Sequence, residues 1–279
     1  MLDLRNQPPF SFRLGSFPIL VSIPHNGSLI PDSIAKSMTE DGRSSRDTDW
    51  FLDKLYDLPE LAHASQIVAN YSRYVVDLNR PSDNVSLYPG QTTTGLIPQT
   101  CFDGSAIYRD DRPDENETDE RVQLVWRPYH KKLQEELKRL RDQHGVAVLI
   151  EAHSIKSEVP LLFDGVLPDF NVGTNKGQSC AGSLCDVIEN VLSQQQKDQH
   201  SGYSYIINGR FIGGFITREY GNPENQIHAV QFELSQATYM NEEDLTWADE
   251  KAIAVQPVFQ RIAHAVVQWI MEQEEFKHQ

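Results

Sequence analysis

Two histidines in this 279-residue chain sit where a metal ion could be held. His25 follows the apolar run FPILVSIP, and His153 follows VAVLIEA. Both runs read as buried strands. In open α/β sheets the loops at the carboxyl ends of strands converge on one crevice, so two imidazoles delivered there can meet around one ion. Catalytic zinc commonly takes two histidines and a carboxylate and keeps one position for water. The nearest acids after His25 are Asp47 and Asp49, in RDTDW. The competing reading has two histidines that merely end strands and an Asp49 that caps a helix.

Glu233 lies inside AVQFEL, an otherwise apolar run. A carboxylate there is costly unless paired or put to use; beside an activated water it could act as general base. An edge-strand Glu facing solvent with Gln231 is the equal alternative. Four arginines complete the set. Arg73 and Arg80 bracket YVVDLN, and Arg210 and Arg218 flank FIGGFIT. Arginine grips a carboxylate through two parallel hydrogen bonds, so a dicarboxylate ligand calls for more than one. His63, His130, His144, His200, His264 and His278 fall in helical or terminal contexts and read as surface residues. No Walker loop, GxGxxG fingerprint or GxSxG elbow is present.

The elements that must position these residues alternate between short β-branched runs and helical patterns, which predicts a layered α/β fold. Strands are expected at Phe17–Ile23, Tyr74–Leu78, Val146–Ile150, Tyr205–Ile207 and Ala229–Leu234. Helices are expected at Asp49–Leu58 (capped by Asp47 or Thr48), Glu120–His144 with Gly145 as C-cap, Ala181–Gln194, and Asp249–Glu274, the last kinked or delayed by Pro257. Pro81–Pro113 lacks periodicity and reads as a lid or specificity wall; Asn208–Gln226 is a second irregular stretch. No repeat or linker divides residues 1–279, so one domain is expected.

The bulk properties restrict the partners. A formal net charge of −15 argues against nucleic-acid and anionic-membrane binding. It also repels an anionic ligand at long range, so recognition of one needs a local arginine cluster. Three cysteines, Cys101, Cys180 and Cys185, form no disulfide framework. With no signal peptide and no apolar stretch long enough to span a bilayer, the expected location is the cytoplasm.

The segments SIPHNG, RDTDWFLDKLYD, YSRYVVDLNRP, EAHS and FELSQATYM occur in an order that resembles the N-formylglutamate amidohydrolases, from about Phe17 to Met240. The resemblance implies a zinc-carboxypeptidase-like (phosphorylase/hydrolase-like) fold, with a central mixed, mostly parallel sheet flanked by helices. It implies one zinc ion per chain, with His25 and His153 as ligands. The HxxE motif of carboxypeptidase relatives fails here, because Ser28 stands three residues after His25, so the carboxylate must come from elsewhere and Asp49 is preferred over Asp47. Glu233 then resembles the general base. Asn79 and Arg80 of DLNR resemble groups that hold the substrate carboxylate or polarise the scissile carbonyl, with Arg73, Arg210 and Arg218 as further clamps. The implied reaction is hydrolysis of N-formylglutamate to formate and glutamate, closing one route of histidine degradation. Alternatives are a deacylase of another N-acyl acidic amino acid, a carboxypeptidase-like enzyme acting on peptides, and a non-catalytic module that binds an acidic metabolite.

Overall fold

A computed structural model describes residues 3–86, 93–109, 113–197 and 202–273. Its frame is a seven-stranded sheet: β1 (Phe10–Arg13), β2 (Phe17–Ile23), β3 (Ala64–Ala69), β4 (Ala147–Ile155), β5 (Phe170–Gly173), β6 (Tyr205–Ile207) and β7 (Ile227–Ser235), in the order β1-β3-β2-β4-β7-β5-β6. The pairs β2–β3, β2–β4, β4–β7 and β5–β6 are parallel, while β1–β3 and β5–β7 are antiparallel. The sheet is therefore mixed and mostly parallel, as expected. Its central strands β2, β4 and β7 are buried along nearly their whole length. Burial on both faces is why they read as near-continuous apolar runs.

The helices are α1 (Asp32–Ala35), α2 (Glu40–Ser44), α3 (Leu52–Leu55), α4 (Glu115–Arg121), α5 (Arg127–His144), α6 (Gly182–Lys197), α7 (Phe215–Tyr220) and α8 (Asp249–Met271). They cover both faces. One core, with Ile19, Val148, Val230, Ile188 and Phe259, joins the sheet to α3, α6 and α8. The other, with Leu20, Leu149, Ala229, Leu133 and Val125, joins it to α5 and the turn before it. A two-stranded ribbon, β8 (Met240–Asn241) with β9 (Thr246–Trp247), sits outside the main sheet. No helix among the described residues is long and apolar enough to cross a membrane.

Several expectations are corrected. Tyr74–Leu78 is not a strand but a buried run of turns, closed by Val75 N–H to Ser72 O and Arg80 N–H to Asp77 O. The strand lies earlier, at β3, whose sequence ASQIVA mixes polar and apolar residues. The helix expected over Asp49–Leu58 shrinks to the single turn α3, because Phe51 adopts a left-handed conformation, φ 61°. Its orphan N–H at Leu52 is capped from outside by Asn26 Oδ1 at 3.0 Å, not by Asp47 or Thr48. Pro257 lies within a continuous α8. The long Glu120–His144 helix is found, starting earlier and interrupted by a π-helical turn at Val122–Trp126, and it ends at Gly145 with φ 79°. Residues 87–92 and 110–112 of the Pro81–Pro113 loop lie outside the described residues.

Candidate metal centre and substrate cavity

Parallel register brings the carboxyl ends of β2, β4 and β7 together. Ser22 pairs with Glu151 across β2–β4, and His153 pairs with Glu233 across β4–β7. His25 follows β2 by two residues. Asp49, far along the chain, is tied beside it by a backbone hydrogen bond from its own N–H to the His25 carbonyl at 3.0 Å. His25, Asp49 and His153 are all buried, and each offers a ligand atom within 4.8 Å of the others.

The ring orientations decide what those atoms can do. His25 Nε2 faces Asp77 Oδ1 at 2.7 Å, and His153 Nε2 faces Glu151 Oε1 at 2.8 Å. A carboxylate can only accept, so each Nε2 carries the hydrogen. Both Nδ1 atoms then turn to the same oxygen, Asp49 Oδ2, at 3.7 Å from His25 and 3.0 Å from His153. Carboxylate partners behind metal-binding imidazoles fix ring orientation and raise basicity in this way. His25 Nδ1 and Asp49 Oδ1 are buried with no hydrogen-bond partner, a costly state that a cation between them would relieve. Two imidazole nitrogens and a carboxylate oxygen form a donor set suited to zinc and related divalent ions. The residues fit a metal.

Electrostatics agree with the geometry. Burial opposes charge on His153, but hydrogen bonds to Asp49 and Glu151 outweigh it and push the imidazole up to about 10. Burial would likewise raise Asp49, yet the hydrogen bond with His153 and the nearby His25 imidazole hold it below the usual carboxylate range. Asp77, also buried, is drawn well below that range by His25 and Arg73. Glu233 goes the other way: burial raises it, with only partial relief from His153. Metal and protons would compete for the same nitrogen lone pairs.

Around these residues opens a cavity lined by His25, His153, Glu233, Gln231, Asn79, Arg73, Arg80 and Arg210, with Thr93, Thr94 and Phe102 from the long irregular loop. Asn79 Nδ2 lies 2.9 Å from His153 Nε2, and its Oδ1 accepts from Ile216 N–H at 2.9 Å. Arg80 donates to Thr94 O at 2.7 Å, Thr94 Oγ1 at 3.0 Å and Asn79 O at 2.9 Å. Arg73 is committed to acids of the chain itself, Asp77 at 2.8 Å and Asp49 at 3.7 Å. Arg210 donates through Nε to Leu162 O at 2.9 Å.

Two of the sequence candidates lie elsewhere. Arg218 is not part of the lining; the start of α7 directs its Nε to the Gly213 carbonyl at 2.9 Å. Asp47 accepts from Phe102 N–H at 2.8 Å and is outside the ligand cluster. His130, read from sequence as a surface residue, is buried. Sequence reading also passed over Asp77 and Glu151, the carboxylates behind the two imidazoles. Each sits within an apolar run, YVVDL and VAVLIEA, the same signal that singled out Glu233.

The comparisons with known proteins point one way. The sequence model described as N-formylglutamate amidohydrolase matches residues 17–240. The N-formylglutamate deformylase of Pseudomonas putida is 45% identical over 261 residues, covering 93% of this chain and 96% of that protein. Its counterpart in Pseudomonas aeruginosa is 46% identical over the same shares. Among solved structures, N-formylglutamate amidohydrolase from Ralstonia eutropha JMP134 superposes with a TM-score of 0.78, at 23% identity, over 94% of this chain and 100% of that one. By its matched span and its identity to these relatives, this chain belongs to the N-formylglutamate amidohydrolase family.

Proposed function

We propose that this chain is a zinc-dependent deformylase that hydrolyses N-formyl-L-glutamate to formate and L-glutamate. The observation that carries the reading is the convergence of His25 Nδ1 and His153 Nδ1 on one oxygen of Asp49, in a cavity that also receives Glu233 and three arginines. Its support in kind comes from membership of the family and from relatives named for that reaction.

A zinc ion held by His25, Asp49 and His153 would supply Lewis acidity, acidifying a water and polarising the formyl oxygen. The chain's own groups do the rest. Glu233, whose burial makes its ionised form a stronger base than an ordinary carboxylate, takes the proton of the attacking water and delivers it to the amine nitrogen as the C–N bond breaks. Water and amide are thereby consumed, and formate and the free amino acid are released. Arg80, whose hydrogen bonds go to Thr94 and the Asn79 carbonyl, serves the negative charge of the substrate, with Asn79 beside it; Arg210 lines the same cavity. Arg73 neutralises Asp49 and Asp77 and adds positive potential. Such local cations matter in a chain of net charge −15, which otherwise repels a dianion. The site draws on segments spread from residue 25 to residue 233, so we read the whole chain as one catalytic domain. Its three free cysteines suit the cytoplasm.

The deciding assay follows formate release from N-formylglutamate before and after chelation. One formate per glutamate, loss of activity with a chelator and recovery with zinc are expected. Inert N-formylglutamate together with turnover of another N-acyl acidic amino acid would transfer the chain to the sister activity. Full turnover by chelated, metal-free protein would remove the zinc.

A further inference from the structure

The helix behind the cavity departs from α geometry at one place. Residues Val122–Trp126, between α4 and α5, form a π-helical turn, a rare register that absorbs an extra residue and recurs at functional sites. Trp126 closes that turn and donates its indole Nε1–H to the carbonyl of Arg80 at 2.9 Å. Four residues on, His130 stacks on the indole with ring centres 3.7 Å apart and reaches the carbonyl of Leu78 through Nε2 at 2.8 Å. These two carbonyls flank Asn79.

His130 is itself held in place. A carbonyl only accepts, so Nε2 carries the hydrogen and Nδ1 accepts from the Tyr220 hydroxyl at 2.9 Å. The Tyr220 ring also stacks with the imidazole. Burial lowers this imidazole to about 3, so it is neutral at neutral pH, and Nδ1 stays an acceptor for Tyr220 while Nε2–H donates.

The held segment has little regular structure of its own, yet it carries two side chains into the cavity. Asn79 N–H is fixed by Asp77 Oδ1 at 2.8 Å. Arg80 is steadied by one hydroxyl and two carbonyls, both on irregular chain. The aim of these side chains is set by the backbone beneath them.

We propose that Trp126 and His130 are positioning residues: by gripping the carbonyls on either side of Asn79, they fix the angle at which Asn79 and Arg80 meet the substrate. The proposal rests on the reading of Arg80 as a substrate-binding group. Trp126→Phe keeps the stacked ring and removes only the N–H. It should lower kcat/KM for N-formylglutamate roughly 10- to 100-fold, the scale of a small misplacement of a binding group, while zinc content and Tm stay near wild type. His130→Gln, which retains a donor, should recover much of the activity lost in His130→Leu. If Trp126 acts through Arg80, Trp126→Phe costs little more in an Arg80→Lys background. Loss of Tm with unchanged kcat and KM in both Trp126→Phe and His130→Leu would reduce the pair to packing and overturn the proposal. So would a Trp126→Phe penalty that is equally large with and without Arg80. An impaired Arg80→Lys beside a wild-type Trp126→Phe overturns the grip alone, whereas an Arg80→Lys with wild-type kinetics overturns the reading of Arg80 and the grip with it.

Discussion

Asp49 and Glu233 share one buried pocket, and burial leaves them in opposite states. Asp49 is bonded by His153 and the Ser154 N–H, with the His25 imidazole close by, and stays acidic, whereas Glu233 takes the side-chain amide of Gln231 at 3.3 Å and is raised by burial. That division suits the two roles proposed for them, Asp49 holding a metal and Glu233 carrying a proton. Glu233→Gln should therefore keep zinc and melting temperature while formate release falls by roughly 10²–10⁴-fold. Normal turnover with full zinc would show that another group moves the proton. His130 makes a different kind of prediction. Its imidazole is lowered to about 3 in the folded chain against an ordinary 6.5. Between those values the unfolded chain binds the extra proton, so stability falls as pH falls, by up to about 1.4 kcal/mol per pH unit, and is unaffected above about pH 7. Urea unfolding at pH 7 and pH 5 should show a smaller loss in His130→Gln than in wild type; equal losses would show that the ring takes up its proton without unfolding.

At the scale of elements, the segment from Gly213 to Thr217 at the start of α7 serves several parts of the site at once. Gly214 N–H donates to Gln231 Oε1 at 2.6 Å, Ile216 N–H to Asn79, and the Thr217 hydroxyl to Glu151. A Cβ at Gly214 would stand 2.3 Å from Asn79 Nδ2, closer than any side chain tolerates. Gly214→Ala should thus push Asn79 off His153 and cut kcat/KM by roughly 10²-fold with a modest change in Tm; wild-type kinetics would show that Asn79 moves at no cost to function. The sequence showed FIGGFIT as irregular and flanked by arginines, but hydrogen bonds to residues 79, 151 and 231 leave no local pattern. What was legible is what burial writes into composition: β2, β4 and β7 as apolar runs, with His25, His153 and Glu233 at their ends. What was hidden has a common cause. YVVDL carries the residue types of a strand, yet the carboxylate of Asp77 folds it into turns by accepting from Asn79 N–H and pairing with Arg73 and His25. β3 was missed because ASQIVA owes its strand state to its neighbours β1 and β2 rather than to its own pattern.

For the whole molecule, an ion that binds only the folded chain adds to its stability. At a hundred times its Kd this is about 2.7 kcal/mol, or roughly 5 °C in Tm for a chain of this size. Chelation should lower the melting temperature by that order and zinc should restore it, while an unchanged Tm would place the ion elsewhere. The parallel register of β2, β4 and β7 carries one more consequence. The groups that meet at the centre are separated by 24, 104 and 80 positions along the chain, from 25 to 49, 49 to 153 and 153 to 233, and parallel neighbours pair only after a long crossover has closed. Such distant contacts form late and slowly. An ion held by these residues would then have no nucleating role, because its cradle exists only once the sheet is nearly complete. Refolding from denaturant in the presence of a chelator should run at the same rate as refolding with zinc, and zinc added at the end should restore activity within the time of a binding step. Metal-accelerated refolding would instead show that the ligands gather early, ahead of the strands that carry them.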